Sequence, residues 1–241
     1  MSVPSAGRTG RAVSLTGGLL FVVSLLYALL RYVSAFGVSA GPWTGPAGAH
    51  AIAVDAGLFA AFAFHHSVFA RDRVKAVVAR LVTGAMERSA YVWIASLLFL
   101  ANVLFWVPVP GIAWRAPVVV APFCYAVQIA GVLLTGYASQ QLGVLDLAGI
   151  RQAFGHERPP REGLTVGGAY RLVRHPIYFA WLLMVWPSPV MTGSRLLFAI
   201  MTTLYLAIAV PFEEHSLRRV FGDAYTAYTR RVRWRMLPGV Y

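Results

Sequence analysis

Four apolar stretches, each near the length that a helix needs to cross a bilayer, limit the folds open to this chain more than any other feature. A hydrocarbon core about 30 Å thick requires about 20 residues of helix, since each residue advances the helix by about 1.5 Å. The stretches cover residues 12–36, 51–70, 89–107 and 117–137. They predict a bundle of four membrane-spanning helices over residues 1–138.

A fifth apolar region is interrupted by prolines. Residues 177–186 and 196–212 are apolar, and Pro187-Ser188-Pro189 lies between them. Because proline breaks helices, this region predicts a helical hairpin, which we count as a fifth spanning unit. Residues 213–235 place apolar side chains on approximately one helical face among several arginines. That pattern is typical of an amphipathic helix at the membrane interface, so residues 139–241 predict a polar loop, the hairpin and this helix.

The composition agrees with an all-α integral membrane protein. Apolar residues make up 58% of the chain and charged residues only 12%, about half the charged share of soluble domains. The net charge of +12 comes from arginines spread between apolar runs, whereas a nucleic-acid-binding protein concentrates its charge on one surface. We therefore predict no nucleic acid partner. Cys124 is the only cysteine, which excludes an internal disulfide and a cysteine zinc site, and we predict no metal site.

Positive charge differs sharply between the connections. Residues 37–50 contain no Lys or Arg, whereas residues 71–88 and the segment after the fourth stretch are rich in both. Cytoplasmic loops of membrane proteins are enriched in Lys and Arg. The distribution predicts a cytoplasmic N-terminus and a polar loop and active site on the cytoplasmic side, and we expect the membrane to be a bacterial inner membrane. The basic residues concerned are Arg71, Arg73, Lys75, Arg80, Arg88, Arg151, Arg158, Arg161, Arg171 and Arg174.

The segment from Tyr170 to Tyr178, with the sequence YRLVRHPIY, lies where the polar loop becomes an apolar helix. Pro176 suits the first position of a helix, because its missing N–H would have no partner there. His175 would then lie near the N-cap, where backbone N–H groups and two arginines favour an anion. The segment predicts an anion site, and the alternative is that the arginines only anchor the helix to anionic lipid.

The segment Glu213-Glu214-His215-Ser216-Leu217 follows the last apolar run. Two adjacent carboxylates at a membrane boundary repel each other, so they need a cationic partner or a functional reason to be there. The hairpin would return them to the side of His175, and the combined site would suit a zwitterionic amino acid group with a sulfonium. The alternative is a solvated helix start, where acids favour the helix dipole.

Together with Phe221-Gly222-Asp223-Ala224-Tyr225-Thr226-Ala227-Tyr228, these segments resemble the isoprenylcysteine carboxyl methyltransferase and phospholipid methyltransferase superfamily. The resemblance implies S-adenosylmethionine bound between the RHPxY helix start, the EExxL segment and the polar loop, without a Rossmann fold. The sequence agrees, since it has no strand followed by GxGxxG. The cofactor contacts that the resemblance implies are Tyr170, Arg174, His175, Tyr178, Glu213 and Glu214.

The front half carries a narrower resemblance. The segments 66–71, 87–92 and 146–152, with the sequences HSVFAR, ERSAYV and DLAGIRQ, are similar to the bacterial methanethiol S-methyltransferase branch. This chain differs in having His65 where that branch has Gln, and Ala148 where it has an aromatic residue. The resemblance implies that methanethiol is methylated to dimethyl sulfide.

The reactive form of a thiol is the thiolate. We therefore expect His66, Asp146 or Arg151 to remove the thiol proton or to stabilise the sulfur anion. The alternative for His66 is that it only reaches the membrane interface at the end of its helix.

Three other functions fit the same motifs. A lipophilic acceptor, either an isoprenylated cysteine carboxylate or a phospholipid amine, would replace the small thiol within the same superfamily. An NADPH-dependent sterol-reductase-like enzyme has similar RHPxY and FGxxYxxY segments, and a non-enzymatic membrane protein of nitrogen-oxide metabolism resembles the front half. Membrane lipid is an expected partner in every case, and the sequence leaves the oligomeric state open.

Overall fold

The structure is a computed structural model that describes residues 7–69, 71–81, 84–143, 148, 150 and 164–241. These residues are mostly helical, and they form two compact units. One unit contains the described residues up to Gly111 together with Gly143, Ala148 and Ile150. The other contains residues 112–142 and 164–241. The predicted all-α membrane fold is confirmed.

The described residues of the first unit form four α-helices. They are α1 (Arg8–Val33), α2 (Gly45–Val68), α3 (Asp72–Leu81) and α4 (Gly84–Leu104), and a short 3-10 helix, Ala35–Gly37, follows α1. Helix α4 packs against both α1 and α2. On the α1 side, the Trp93 indole N–H donates to the Val13 carbonyl at 2.9 Å.

Helices α2 and α4 run antiparallel, as two contacts at opposite ends of their seam show. At one end, Asp55 Oδ1 accepts a hydrogen bond from the backbone N–H of Val107 at 2.8 Å. At the other end, the Tyr91 hydroxyl lies 2.9 Å from His66 Nδ1. The histidine pair at the end of α2 is therefore packed against the beginning of α4.

In the second unit, the residues that the structure describes form three α-helices and a two-stranded ribbon. The helices are α5 (Ala121–Leu142), α6 (Pro176–Val185) and α7 (Gly193–Arg231). The strands β1 (Ile112–Arg115) and β2 (Val190–Thr192) pair antiparallel, with Ile112 opposite Thr192. Short 3-10 helices, Val118–Val120 and Gly168–Arg171, precede α5 and α6.

Close packing of small residues joins α5 to α6. A Cβ atom added at Gly131 would lie 2.7 Å from the carbonyl oxygen of Ala180, which is closer than real Cβ contacts allow. The backbones of α5 and α6 approach this closely only because position 131 has no side chain. Small residues at such contacts are common between membrane helices.

The hairpin turns at the predicted prolines. Helix α6 ends at Val185, and Pro187 and Pro189 lie in the connection before β2. Buried Arg195 stabilises this connection, because its Nη1 donates to Ser188 Oγ at 3.0 Å and to the Val190 carbonyl at 2.8 Å.

Four described helical segments are long and apolar enough to cross a membrane. They are Arg8–Gly37, Gly45–Val68, Val118–Leu142 and Gly193–Arg231. They correspond to three of the predicted spans and the second arm of the hairpin. Helix α6 is apolar but has only 10 residues, and the predicted third span corresponds to α4, which has 21 residues.

The second arm of the hairpin and the predicted amphipathic helix are continuous in the structure. Helix α7 has 39 residues and runs through Pro211, which removes one backbone hydrogen bond from the helix. The helical geometry is interrupted at Gly222, where φ is 52° and ψ is −124°. Glycine adopts these angles readily and other residues do not. The segment predicted to begin at residue 213 therefore changes direction nine residues later.

Replacing Gly222 with Ala should destabilise the protein by about 1–3 kcal/mol, the usual cost of a strained non-glycine backbone. A Cβ at Gly222 would meet no atom within 4 Å, so the cost comes from the backbone alone. Gly136→Ala is the matched control, since Gly136 lies within α5 with equally open surroundings, and it should be neutral or stabilising. Thermal unfolding in detergent measures both, and equal midpoints for the two variants would contradict the assignment.

Candidate functional site

The RHP segment and the paired glutamates meet in the second unit. Arg174 and His175 directly precede α6, with His175 as its N-cap, while Glu213 and Glu214 lie in the middle of α7. Arg174 Nε donates to Glu214 Oε1 at 2.6 Å, and both side chains are more than 90% buried. The hairpin thus brings the two predicted motifs into direct contact.

Arg174 also holds the segment that follows α7. Its Nη1 donates to the Val232 carbonyl at 2.8 Å and to the Arg233 carbonyl at 2.7 Å. These bonds and the bond to Glu214 make the guanidinium part of the protein interior, where it ties the start of α6 to two later parts of the chain. Sequence reasoning had placed Arg174 against the cofactor.

The backbone at the start of α6 is also engaged, in contrast to the expected anion site. The N–H groups of Arg174 and His175 donate to the carbonyls of Trp234 and Arg235 at 2.9 and 2.8 Å. Those of Tyr178 and Phe179 donate to the His175 carbonyl. The chain's own carbonyls therefore occupy donors that the sequence suggested for an anion, because the residues after α7 return to this point.

Glu214 is surrounded by cationic groups. Besides Arg174, its carboxylate lies 3.3 Å from Arg235 Nε, 3.8 Å from Arg218 Nη2 and 3.5 Å from His175 Nε2. Its side chain is only 2% exposed. A carboxylate at this depth requires compensating charge, and these neighbours supply it.

Glu213 has a different environment from its neighbour. Its side chain is 45% exposed, because successive helical residues point in different directions. The Tyr178 hydroxyl donates to Glu213 Oε2 at 2.8 Å, and His175 Nδ1 lies 3.5 Å from the same oxygen. Glu213 is thus a partly open carboxylate held by two side chains from the beginning of α6.

His175 lies between the two carboxylates and is itself buried. Burial lowers the pKa of the imidazole, but hydrogen bonding and charge from Glu213 and Glu214 outweigh it, so the pKa is raised above the ordinary value. The His175 ring also stacks on Tyr178 at 5.3 Å with an interplanar angle of 10°. The folded protein therefore favours the imidazolium and keeps it aligned with Tyr178.

Tyr170 belongs to a hydrophobic core cluster of the second unit. It packs with Ala138, Tyr225, Tyr228 and Val232, and its carbonyl accepts a hydrogen bond from the Tyr228 hydroxyl at 2.7 Å. The two tyrosines of the FGxxYxxY motif therefore fix the 3-10 helix before α6. Tyr170 itself is buried in this packing.

One of the three predicted catalytic residues is described. His66 lies in the first unit, hydrogen-bonded to Tyr91 and stacked on Phe62 at 5.3 Å. Asp146 and Arg151 lie outside the described residues. Within the described ranges, no three His, Cys, Asp or Glu side chains gather as a metal site.

Sequence reasoning missed Arg218 and Arg235 as partners of Glu214. Arg218 could have been found, since it follows Glu214 by four residues on the same helix. Arg235 carried no such signal, because only the return of the chain after α7 brings it close. Its Nη1 also donates to the Tyr241 hydroxyl at 3.2 Å, and its guanidinium lies 5.1 Å from the centre of that ring.

Known proteins similar to this chain identify its family. The family model for phospholipid methyltransferases matches residues 119–224. The chain is 36% identical over 222 residues to methanethiol S-methyltransferase 2 of Bradyrhizobium diazoefficiens, covering 88% of this chain and 83% of that protein. It is 34% identical over 187 residues to the methanethiol S-methyltransferase of Crocosphaera subtropica, with 76% and 73% covered. It is also 30% identical over 179 residues to human Nurim, with 69% and 68% covered. No solved structure matches the chain.

An all-helical membrane fold with these two motifs in contact defines a membrane methyltransferase. The chain belongs to the isoprenylcysteine carboxyl methyltransferase and phospholipid methyltransferase superfamily, in the family that includes the methanethiol S-methyltransferases. It is therefore an enzyme that uses a methyl donor and a small or lipid methyl acceptor.

Glu214→Gln should lower the free energy of unfolding by roughly 3–5 kcal/mol, because it leaves Arg174 buried without a counter-charge. Glu213→Gln is the matched control, since it removes the same charge one residue earlier from a partly exposed site, and it should cost less than about 1 kcal/mol. Thermal unfolding in detergent separates the variants. Similar losses from both would contradict the different roles assigned to the two glutamates.

The raised pKa of His175 predicts a pH-dependent stability. Stabilisation by the imidazolium is fully present below the ordinary pKa of 6.5 and is lost as the pH rises through the raised value. Between about pH 6 and pH 9, the unfolding midpoint of the wild type should therefore fall more than that of His175→Gln. Parallel curves for the two proteins would show that the imidazole does not contribute in this way.

Proposed function

We propose that this protein is an S-adenosylmethionine-dependent thiol S-methyltransferase that converts methanethiol to dimethyl sulfide. The observation that carries the proposal is the partly open carboxylate of Glu213 beside the buried, mutually compensated ion pair of Arg174 and Glu214. The similarity to the methanethiol S-methyltransferases of Bradyrhizobium and Crocosphaera supports methanethiol as the methyl acceptor.

The described side chains fit S-adenosylmethionine, which carries a carboxylate, an ammonium and a sulfonium. Glu213 offers a negative group to the ammonium or the sulfonium, and its exposure leaves it accessible. Arg218, whose side chain is 55% exposed, offers a positive group to the carboxylate. His175 and Tyr178 hold Glu213 in place through the contacts at 3.5 and 2.8 Å.

When bound, S-adenosylmethionine would supply a methyl group on positive sulfur, open to displacement by the acceptor sulfur, and Glu213 and Arg218 would hold the cofactor. Such a displacement needs mainly alignment of the two partners. The protein contributes by holding Glu213 in a fixed position, because buried Glu214 and Arg174 fix the same part of α7.

The acceptor must lose its thiol proton, because the thiolate is the nucleophile. His66 is a candidate to hold that proton, as its Nδ1 is hydrogen-bonded to Tyr91 and would be kept in one orientation. Asp146 and Arg151 remain candidates from the sequence alone. They would take the proton or stabilise the sulfur anion.

A phospholipid amine is the second candidate acceptor, favoured by the family model that matches residues 119–224. An isoprenylated cysteine carboxylate is a further candidate acceptor, and the same experiment tests both. The charge distribution of the loops supports a cytoplasmic N-terminus and a site open to the cytoplasm of a bacterial inner membrane.

Glu213→Gln should weaken binding of S-adenosylhomocysteine, or of a sulfonium analogue, by about tenfold or more, as expected when a charged hydrogen-bond partner is lost. Calorimetry in detergent measures this independently of turnover. Asp223→Asn removes an exposed carboxylate from the same helix and should leave binding unchanged. Equal affinity in the wild type and Glu213→Gln would remove Glu213 from the site.

Headspace detection of dimethyl sulfide then tests the acceptor, with methylated lipid and prenylcysteine measured in parallel. Wild type should form dimethyl sulfide from methanethiol, and His66→Ala should form it at least tenfold more slowly at neutral pH, a typical loss for a proton-accepting residue. Full turnover by His66→Ala would exclude His66 from the reaction. Methylation of lipid alone would overturn the thiol proposal and leave the methyltransferase assignment intact.

A further inference from the structure

A small cavity lies inside the first unit, among α2, α3 and α4. Its volume is about 40 Å³, and its exposed surface is almost entirely apolar. His65 and Phe69 border it from the end of α2, and Val78 borders it from α3. From α4, the wall is completed by Glu87, Ala90, Tyr91 and Ile94.

His65 is the unusual group in this wall. Its ring is stacked against Phe69 at 4.6 Å and against Tyr91 at 5.5 Å, with interplanar angles of 24° and 22°. The residue is only 6% exposed, and neither ring nitrogen has a hydrogen-bond partner among the described residues. Buried polar groups are normally hydrogen-bonded, so an imidazole held this way beside a cavity indicates a missing partner.

The adjacent histidine shows the contrast. His66 Nδ1 is satisfied by the Tyr91 hydroxyl at 2.9 Å, and that bond directs the hydroxyl away from His65. The same tyrosine therefore supplies a ring face to His65 and a polar group to His66. As a result, the ring of His66 is hydrogen-bonded, whereas the ring of His65 is only stacked.

The size and polarity of the cavity limit what the missing partner can be. One water-sized probe needs about 10–15 Å³ of such volume, so the space holds about three. A buried water typically makes two to four hydrogen bonds, whereas this wall carries polar side-chain groups only on His65, Glu87 and Tyr91 and is otherwise apolar. A molecule with one weakly polar atom and one or two carbons satisfies both limits.

We propose that this cavity is the binding site for the methyl acceptor, and that the acceptor is an uncharged thiol of one or two carbons whose S–H donates to a ring nitrogen of His65. The proposal rests on the proposed thiol methyltransferase activity and names the determinant of its substrate size. A prenyl chain or a phospholipid is far larger than 40 Å³. The cavity therefore selects methanethiol and ethanethiol over longer thiols.

The proposal is tested with variants that change the cavity in opposite directions. Ala90 also lines it, so Ala90→Leu should fill it and raise the KM for methanethiol at least tenfold. Ile94→Ala should enlarge it and shift the preference, measured as kcat/KM, from methanethiol toward 1-propanethiol. His65→Phe keeps the stacked ring but removes both nitrogens, and it should raise the KM for methanethiol about tenfold, as for one lost hydrogen bond.

His50→Gln is the matched control, because it replaces an exposed histidine of the same helix. Calorimetric affinity for S-adenosylhomocysteine verifies that each variant is folded and should remain unchanged. Unaltered KM values and thiol preference in the cavity variants, with turnover intact, would overturn the proposal while leaving the thiol methyltransferase activity standing.

If the wild type methylates no thiol, the proposed function fails and the cavity is tested by binding alone. Carbon-13 NMR of labelled methanethiol with the protein in detergent detects a bound methyl signal. A signal seen with the wild type and with His50→Gln but lost with Ala90→Leu would support a thiol site. The same signal in all three proteins would overturn it.

Discussion

The buried ion pair between Arg174 and Glu214 is the interaction on which the second unit depends. Each charge would be unfavourable alone at this depth, and together, at 2.6 Å, they join the start of α6 to the middle of α7. Arg174 extends the connection to the carbonyls after α7, and Arg235 returns from that segment to Glu214. The start of α6, the middle of α7 and the segment after α7 are thus fixed by one network.

The network explains why two adjacent glutamates are present. Glu214 points into the protein and holds the helices together, while Glu213 points outward and is aligned by His175 and Tyr178. A ligand-binding carboxylate on a flexible backbone segment would lose its orientation. Here the neighbouring residue supplies rigidity, so one helical turn contains both the exposed carboxylate and its support.

Much of the helical architecture could be predicted from the sequence. Long apolar runs have few alternatives to helices in a membrane, and Pro187 and Pro189 marked the turn of the hairpin. The continuity of α7 could not be predicted in the same way, since the apolar run ends at residue 212 and Pro211 is unfavourable inside a helix. Gly222 interrupts the helix instead, because only there does the backbone adopt angles that favour glycine.

The site, too, could be predicted only in part from the sequence. The motifs containing Arg174, His175, Glu213 and Glu214 were expected to meet, and the structure brings them together. Which glutamate is buried depends on the rotation of α7, and the loss of the backbone donors at Arg174 and His175 depends on the segment around Trp234. Neither property is local to a motif, so inspection of the motifs alone did not reveal them.

The contacts of Arg174 also set an order for biosynthesis. Its partner Glu214 follows 40 residues later, and the carbonyls of Val232 and Arg233 follow after 58 and 59 residues. While the ribosome is still making those residues, the guanidinium has no buried partners and must remain hydrated at the membrane surface. The start of α6 therefore reaches its final packing only after the residues that follow α7 have been made.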